Sequence, residues 1–174
     1  MNKPSRSDHC FAPLSASTAR LLILGSYPGV RSLEQSQYYA YPRNVFWDIL
    51  SEIVGFDRSL GYQQRAAALQ QAGIALWDVL YSCKRIGSLD SSIEAGSIVI
   101  NDFDTFFQDH PLIKAVVFNG AKAEQEFKKR VLPATAGLID SKQLLRLPST
   151  SPAMASMSYA KKLENWKVIK GYLR

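Results

Sequence analysis

The sequence predicts an α/β protein, a three-layer α/β/α sandwich around a short, mainly parallel central sheet. Two observations carry that expectation. Short continuous apolar runs alternate along the chain with segments whose apolar residues recur at helical spacing. The unusual polar, Pro and Gly residues lie at or just after the C-terminal ends of those runs, where parallel sheets place their ligand sites.

Taken in order, residues 1–19 read as an irregular lead-in with Pro4 and Pro13. Leu21-Leu22-Ile23-Leu24, closed by Gly25, Pro28 and Gly29, has the pattern of a strand buried on both faces. Asn44 offers an N-cap to a helix in which Val45, Phe46, Ile49, Leu50 and Ile53 recur up to Gly55. Phe46 and Trp47 match its apolar face and belong to the core. A further helix is expected over 61–71, stopped by Gly73, followed by a strand over 74–80. Residues 83–101 show no clear period and are expected as a long loop, a class of segment that is usually functional or mobile. A short helix is expected over 102–108, then a strand over 114–118 ending at Asn119-Gly120. A helix over 121–131, a strand over 144–147 ending in Pro148-Ser149-Thr150-Ser151-Pro152, and a last helix over 158–172 complete the pattern.

Composition narrows the function. The 174 residues fit one domain spanning 1–174, with 47% hydrophobic and 21% charged residues. A chain of this length buries roughly 70% of its unfolded surface and needs neither disulfide nor structural metal. No apolar run approaches the ~20 residues of a membrane span, and MNKPSRSDHCFAPLS lacks the apolar core of a signal peptide. A cytoplasmic monomer is expected. Cys10, Cys83, His9 and His110 make no zinc or iron–sulfur spacing, and the His9-Cys10 pair reads as part of a disordered tail. The net charge of +6 suits a polyanionic partner. Lys161, Lys162, Lys167, Lys170 and Arg174 concentrate it near the C-terminus, either as a nucleic-acid face or as a solvated helix face.

Residues 25–50 read GSYPGVRSLEQSQYYAYPRNVFWDIL, combining a G-x-x-P-G turn with Y-A-Y-P-R-N-x-F-W at the start of a helix. With VVFNGAKA at 116–123 and LPSTSPAMA at 147–155, this resembles the motifs of the uracil-DNA glycosylase superfamily. It is most similar to the mismatch-specific uracil and hypoxanthine-DNA glycosylase branches. The resemblance implies the same sandwich, a pocket at the strand carboxyl ends, and hydrolysis of a deaminated or mismatched base from DNA. It implies no metal and no cofactor, because the branches with an iron–sulfur cluster use four cysteines.

Cutting an N-glycosidic bond leaves positive charge on the sugar and negative charge on the base, so the site needs donors to the base and a group that orients water. Asn44, Ser26 and Tyr27 are the catalytic candidates. Asn44 either orients water or simply caps its helix. The superfamily usually carries Asp or Asn where this chain has Tyr27. A phenol with an ordinary pKa of about 10 is a poor base near neutral pH, which favours the hypoxanthine-type branch. Tyr39 is the expected stacking partner of the flipped base, with Tyr38 and Tyr41 as alternatives. Asp78 and Asn119 are expected to read the base edge, Asp78 by accepting N1–H of hypoxanthine or N3–H of uracil when ionised. Asp90 and Asp102 are weaker candidates in the long loop. Pro28, Gly29, Ser149, Thr150 and Ser151 are expected on the DNA side, with Met154 as the wedge that fills the hole in the duplex. The alternative is a DNA module that binds lesions or mismatches without cutting.

Overall fold

The structure, a computed structural model, describes residues 9–173. Four parallel strands form the central sheet: β1 (Leu21–Gly25), β2 (Ile74–Asp78), β5 (Ala115–Asn119) and β6 (Gln143–Leu147). Their order is β2-β1-β5-β6. Every residue of β1 and β2 is buried, which is why their runs carry no alternation. Each fully buried Leu or Ile of β1 contributes roughly 1.5–3 kcal/mol by leaving water.

Helices cover both faces. On one side lie α2 (Phe46–Val54), α3 (Tyr62–Gln71) and α7 (Tyr159–Trp166), joined where Phe46 meets Trp166 and Trp47 meets Tyr62 edge-on. On the other lie α4 (Phe103–Asp109), α5 (Ala121–Glu126) and α6 (Leu132–Ile139), where Phe103 packs on Trp77 and Phe127. The chain leaves β1 for one neighbour, β2, and returns past β1 to build β5 and β6 on the other side. That reversal opens a crevice at the carboxyl ends of β1 and β5.

Several boundaries differ from the expected ones, each for a local reason. A short helix, α1 (Val30–Gln35), follows the first turn, with Gly29 as its N-cap. β2 stops at Asp78, because Val79 and Leu80 turn their N–H groups to the carbonyls of Gly25 and Ser26. The chain then forms β3 (Leu80–Ser82), which pairs antiparallel with β4 (Val99–Ile100). The stretch between is not featureless: it holds two short 3-10 turns, Asp90–Ser92 and Ala95–Ser97. Beyond α5 the chain continues through a π-helical turn, Phe127–Val131, into α6, although Pro133 lies in its first turn. A proline there gives up an N–H and clashes with the carbonyl four residues back, and the wider turn absorbs both. The last helix tightens into a 3-10 turn over Lys167–Tyr172.

The lead-in is built into the fold from His9 onward; its residues 1–8 lie outside the described residues, as does Arg174. Cys10 is buried rather than disordered: it hydrogen-bonds Asn101, and burial pushes its thiol up to about 12. His9 stacks on Tyr81. Leu14 exchanges backbone hydrogen bonds with Leu76, so the lead-in covers the free edge of β2.

Candidate active site

A cleft of about 1280 Å³ opens at the carboxyl rim, and the catalytic, base-reading and DNA-side candidates named from the sequence line it, whereas Asp102 does not. Its walls are the turn after β1, the segment before α2, part of the 83–101 stretch, and the loop after β6. Among the described residues no three His, Cys, Asp or Glu side chains converge as metal ligands.

The floor is set by strand register. Gly25 of β1 lies opposite Asp78 of β2. A Cβ on Gly25 would sit 2.4 Å from Asp78 Oδ1 and 3.0 Å from the Tyr39 hydroxyl, so only glycine lets both reach this point. Among the described residues, Asp78 Oδ2 and the Tyr39 hydroxyl are buried without a hydrogen bond of good geometry, although the Asn119 side chain lies near enough to the Tyr39 hydroxyl to favour its ionised form slightly. Unsatisfied polar atoms of this kind are costly in a folded core and mark a place where a ligand or water completes the pairing. Burial, helped by the nearby Asp90 charge and opposed by Arg85, pushes the Asp78 carboxyl up to about 7. Gly25→Ala must therefore displace Asp78 or Tyr39. We expect a loss of about 1–3 kcal/mol, read as a lower melting temperature, together with loss of ligand binding in the cleft. A fully active, equally stable Gly25→Ala would contradict this floor.

Tyr39 forms the adjoining wall. Its ring stacks on Phe46 with centroids 4.0 Å apart. Its backbone sits at φ 53°, in the left-handed region that bulky residues avoid, and such strain persists where the surroundings impose it. Burial and the Asp78 charge raise its phenol well above the ordinary range. Of the alternatives, Tyr38 is buried with its hydroxyl on the Ala12 carbonyl, whereas Tyr41 is exposed on the cleft.

The N-cap of α2 is Val45 rather than Asn44, which stands one residue earlier and accepts the Phe46 N–H on its Oδ1 at 3.0 Å. Because a backbone N–H only donates, the oxygen is identified, and among the described residues the Nδ2 amide has no hydrogen-bond partner in the cleft wall. Asn44 therefore offers the cleft donors. Tyr27 is half-buried, and burial pushes its phenol up to about 12, which removes it as a base. The Arg85 guanidinium lies 5.0 Å over its ring.

Three expectations for the DNA side are corrected. Pro28 is buried, and Arg85 donates to its carbonyl, so it braces the turn. Thr150 is fully buried. Its hydroxyl accepts from Asn119 Nδ2 and its N–H donates to Asn119 Oδ1, both at 2.9 Å. That pairing occupies both ends of the Asn119 amide and ties β5 to the loop after β6, leaving Asn119 one spare N–H. Gly120, at φ 99°, lets the two segments approach, since a Cβ there would meet Ser149 at 3.0 Å. Lys162 is likewise buried, donating to the Ser151 carbonyl at 3.0 Å, and burial lowers its pKa. Trp166 holds the Pro148 carbonyl from the same helix. Gly29, Ser149, Ser151 and Met154 are half-buried at the cleft wall.

Residues that sequence reasoning missed supply the rim charge. Arg43, Lys122 and Arg146 line the cleft. Lys122 and Arg146 are ion-paired to Glu126 and Glu124, while Arg43 has no acidic partner among the described residues. The only signal for Arg43 was its place inside the Y-P-R-N string. Asp102 caps α4 through the Thr105 N–H and does not line the cleft; Asp90 does.

A doubly wound sheet with polar loops meeting at its switch point is the arrangement in which α/β proteins bind their ligands. The Uracil DNA glycosylase superfamily model matches residues 12–171. A hypoxanthine DNA glycosylase of Methanosarcina barkeri is 41% identical over 114 residues, covering 65% of this chain and 71% of the relative. A second, from Methanosarcina acetivorans, is 36% identical over 126 residues, covering 67% and 78%. A solution NMR structure of a candidate uracil DNA glycosylase from Methanosarcina acetivorans superimposes with a TM-score of 0.77 at 30% identity, covering 94% of this chain and 96% of that one. The chain belongs to the uracil DNA glycosylase superfamily, and as a DNA glycosylase it acts on DNA.

Proposed function

We propose that this chain hydrolyses the N-glycosidic bond of a deaminated base flipped out of DNA, with hypoxanthine as its first substrate and uracil or xanthine behind it. The observation that carries the reading is the orphaned pair on the cleft floor, the Tyr39 hydroxyl and Asp78 Oδ2. A purine edge presenting an N–H and a carbonyl supplies the complementary partners. Ionised Asp78 accepts N1–H of hypoxanthine, and the Tyr39 hydroxyl donates to the base. The names of the two Methanosarcina relatives support the same base.

The remaining parts follow from the chemistry. Phe46 backs the Tyr39 ring and so holds its hydroxyl for the base edge. The Asn44 amide donates to the charge that develops on the departing base. Asn119, locked by Thr150, directs its spare N–H to the base or its sugar. Met154 takes the place of the flipped base, and Arg43, Lys122 and Arg146 with Ser149 and Ser151 hold the phosphates of a single protein–DNA complex. Flipping costs a few kcal/mol and is cheapest at mispairs, so weak pairing contributes to selectivity.

Duplexes carrying inosine, uracil, xanthine or a thymine mispair, treated with protein and then alkali, test the proposal. Strand cleavage at the inosine position, faster than at the others, is the expected result. Cleavage at uracil alone would refute the base preference, and tight binding to every lesion with no abasic product would refute hydrolysis. Affinity should also fall steeply between 50 and 200 mM salt, as phosphate neutralisation requires.

A further inference from the structure

We propose that Asp90 is a catalytic carboxylate of this cleft, holding the attacking water on one oxygen while Ser26 fixes the other. The inference rests on the glycosylase reading above.

The reaction needs a group that orients water at C1′ and takes its proton. The cleft offers few. The Tyr27 and Tyr39 phenols are held in their neutral form by burial. The Asn44 and Asn119 amides already hold the Phe46 N–H and Thr150, and an amide oxygen does not take up a proton near neutral pH. Asp78 and Asp90 are the only carboxylates lining the cleft among the described residues. Asp78 is wedged against Gly25 at the floor, where the base edge arrives.

Asp90 stands differently. It begins the 3-10 turn Asp90–Ser92 and is exposed in the cleft. Ser26 Oγ donates to its Oδ1 at 2.6 Å, and Oδ2 has no protein partner among the described residues. Ser26 belongs to the turn after β1, one residue before Tyr27. The carboxylate absent from that turn is thus delivered beside it by another segment. That segment is held in place: Ser88 Oγ accepts the Val30 N–H at 2.9 Å, and Arg85 donates to the Pro28 carbonyl.

The step balances. The water oxygen bonds C1′ as the C1′–N bond breaks, and that bond's electron pair leaves with the base. One water proton passes to Asp90 Oδ2 and then to solvent, and the base takes a proton from solvent.

Single-turnover excision from an inosine duplex tests this with wild type, Asp90→Asn, Asp90→Ala and Ser26→Ala. Asp90→Asn should lower the rate by about 10²-fold while leaving the dissociation constant for the duplex within about twofold. Ser26→Ala should cost about tenfold, the size of one lost hydrogen bond to a charged group. Formate, a small carboxylate, should restore part of the Asp90→Ala rate. An Asp90→Asn rate within about threefold of wild type overturns the proposal. So does a slow Asp90→Ala that melts early and does not respond to formate, which would make Asp90 a brace of its loop. Wild type that excises no base from any lesion duplex defeats the glycosylase reading itself, a result separable from either of these.

Discussion

Asn44→Ala is expected to slow excision by about 10²–10³-fold, the cost of removing one preorganised donor from a site where negative charge develops. The same change removes the acceptor of the Phe46 N–H and should cost about 1 kcal/mol of stability. Those two effects are separable because the two ends of the amide do different jobs. Asn44→Asp keeps an oxygen for the Phe46 N–H and removes the Nδ2 donor. It should melt close to wild type, yet be as slow as the alanine variant. If Asn44→Asp kept full activity, or if alanine lowered stability and left the rate intact, Asn44 would be a support of the helix start and nothing more. Melting curves and single-turnover rates on the inosine duplex decide between these.

Asp78→Asn is expected to change how both stability and activity depend on pH. The ordinary value for the carboxyl is 3.8, and in the fold it stands at about 7, raised by burial first and by Asp90 second. Between those values the folded chain keeps a proton that the unfolded chain has released. The contribution of Asp78 to stability is therefore fully present below pH 4, declines as pH rises to about 7, and is level above it. The whole decline is on the order of 4 kcal/mol. Asparagine has nearly the same shape and no proton to lose. Urea denaturation should show wild type losing stability relative to Asp78→Asn across this window, with the variant ahead at pH 8. A difference that is flat or runs the other way would mean that Asp78 is not buried uncompensated. Activity should move oppositely. If the ionised carboxylate accepts N1–H, excision by wild type rises through about pH 7, and the variant loses that inflection along with most of its rate.

The elements most legible in the sequence were those set by local pattern. Leu21–Leu24 and Ile74–Trp77 are continuous apolar runs, and buried parallel strands leave no other trace. The helical spacing of Phe46, Ile49, Leu50 and Ile53 identified α2 because one face of it is core. The helix α1 escaped notice because six residues with only Val30 and Leu33 apolar carry too little period to read. The continuation into α6 was hidden by Pro133, which reads as a stop, whereas here the π-helical turn before it absorbs the lost N–H and the clash.

Which residues could stand around the site was also legible, since Gly, Pro, Asn, Asp and Ser after a strand mark its rim. What each does there was decided by partners far away in sequence. Thr150 read as a phosphate contact and is instead sealed against Asn119, 31 residues earlier. Lys162 read as a surface cation and is instead buried on the Ser151 carbonyl. Asp90 gained its place only because Ser26 reaches it across 64 residues. Periodicity is a property of neighbours along the chain, so the sequence by itself determined the strands, the main helices and the rim. Burial and hydrogen-bond pairing of polar groups are properties of neighbours in space, so the tertiary structure alone decided which rim residues brace the loops and which face the cleft.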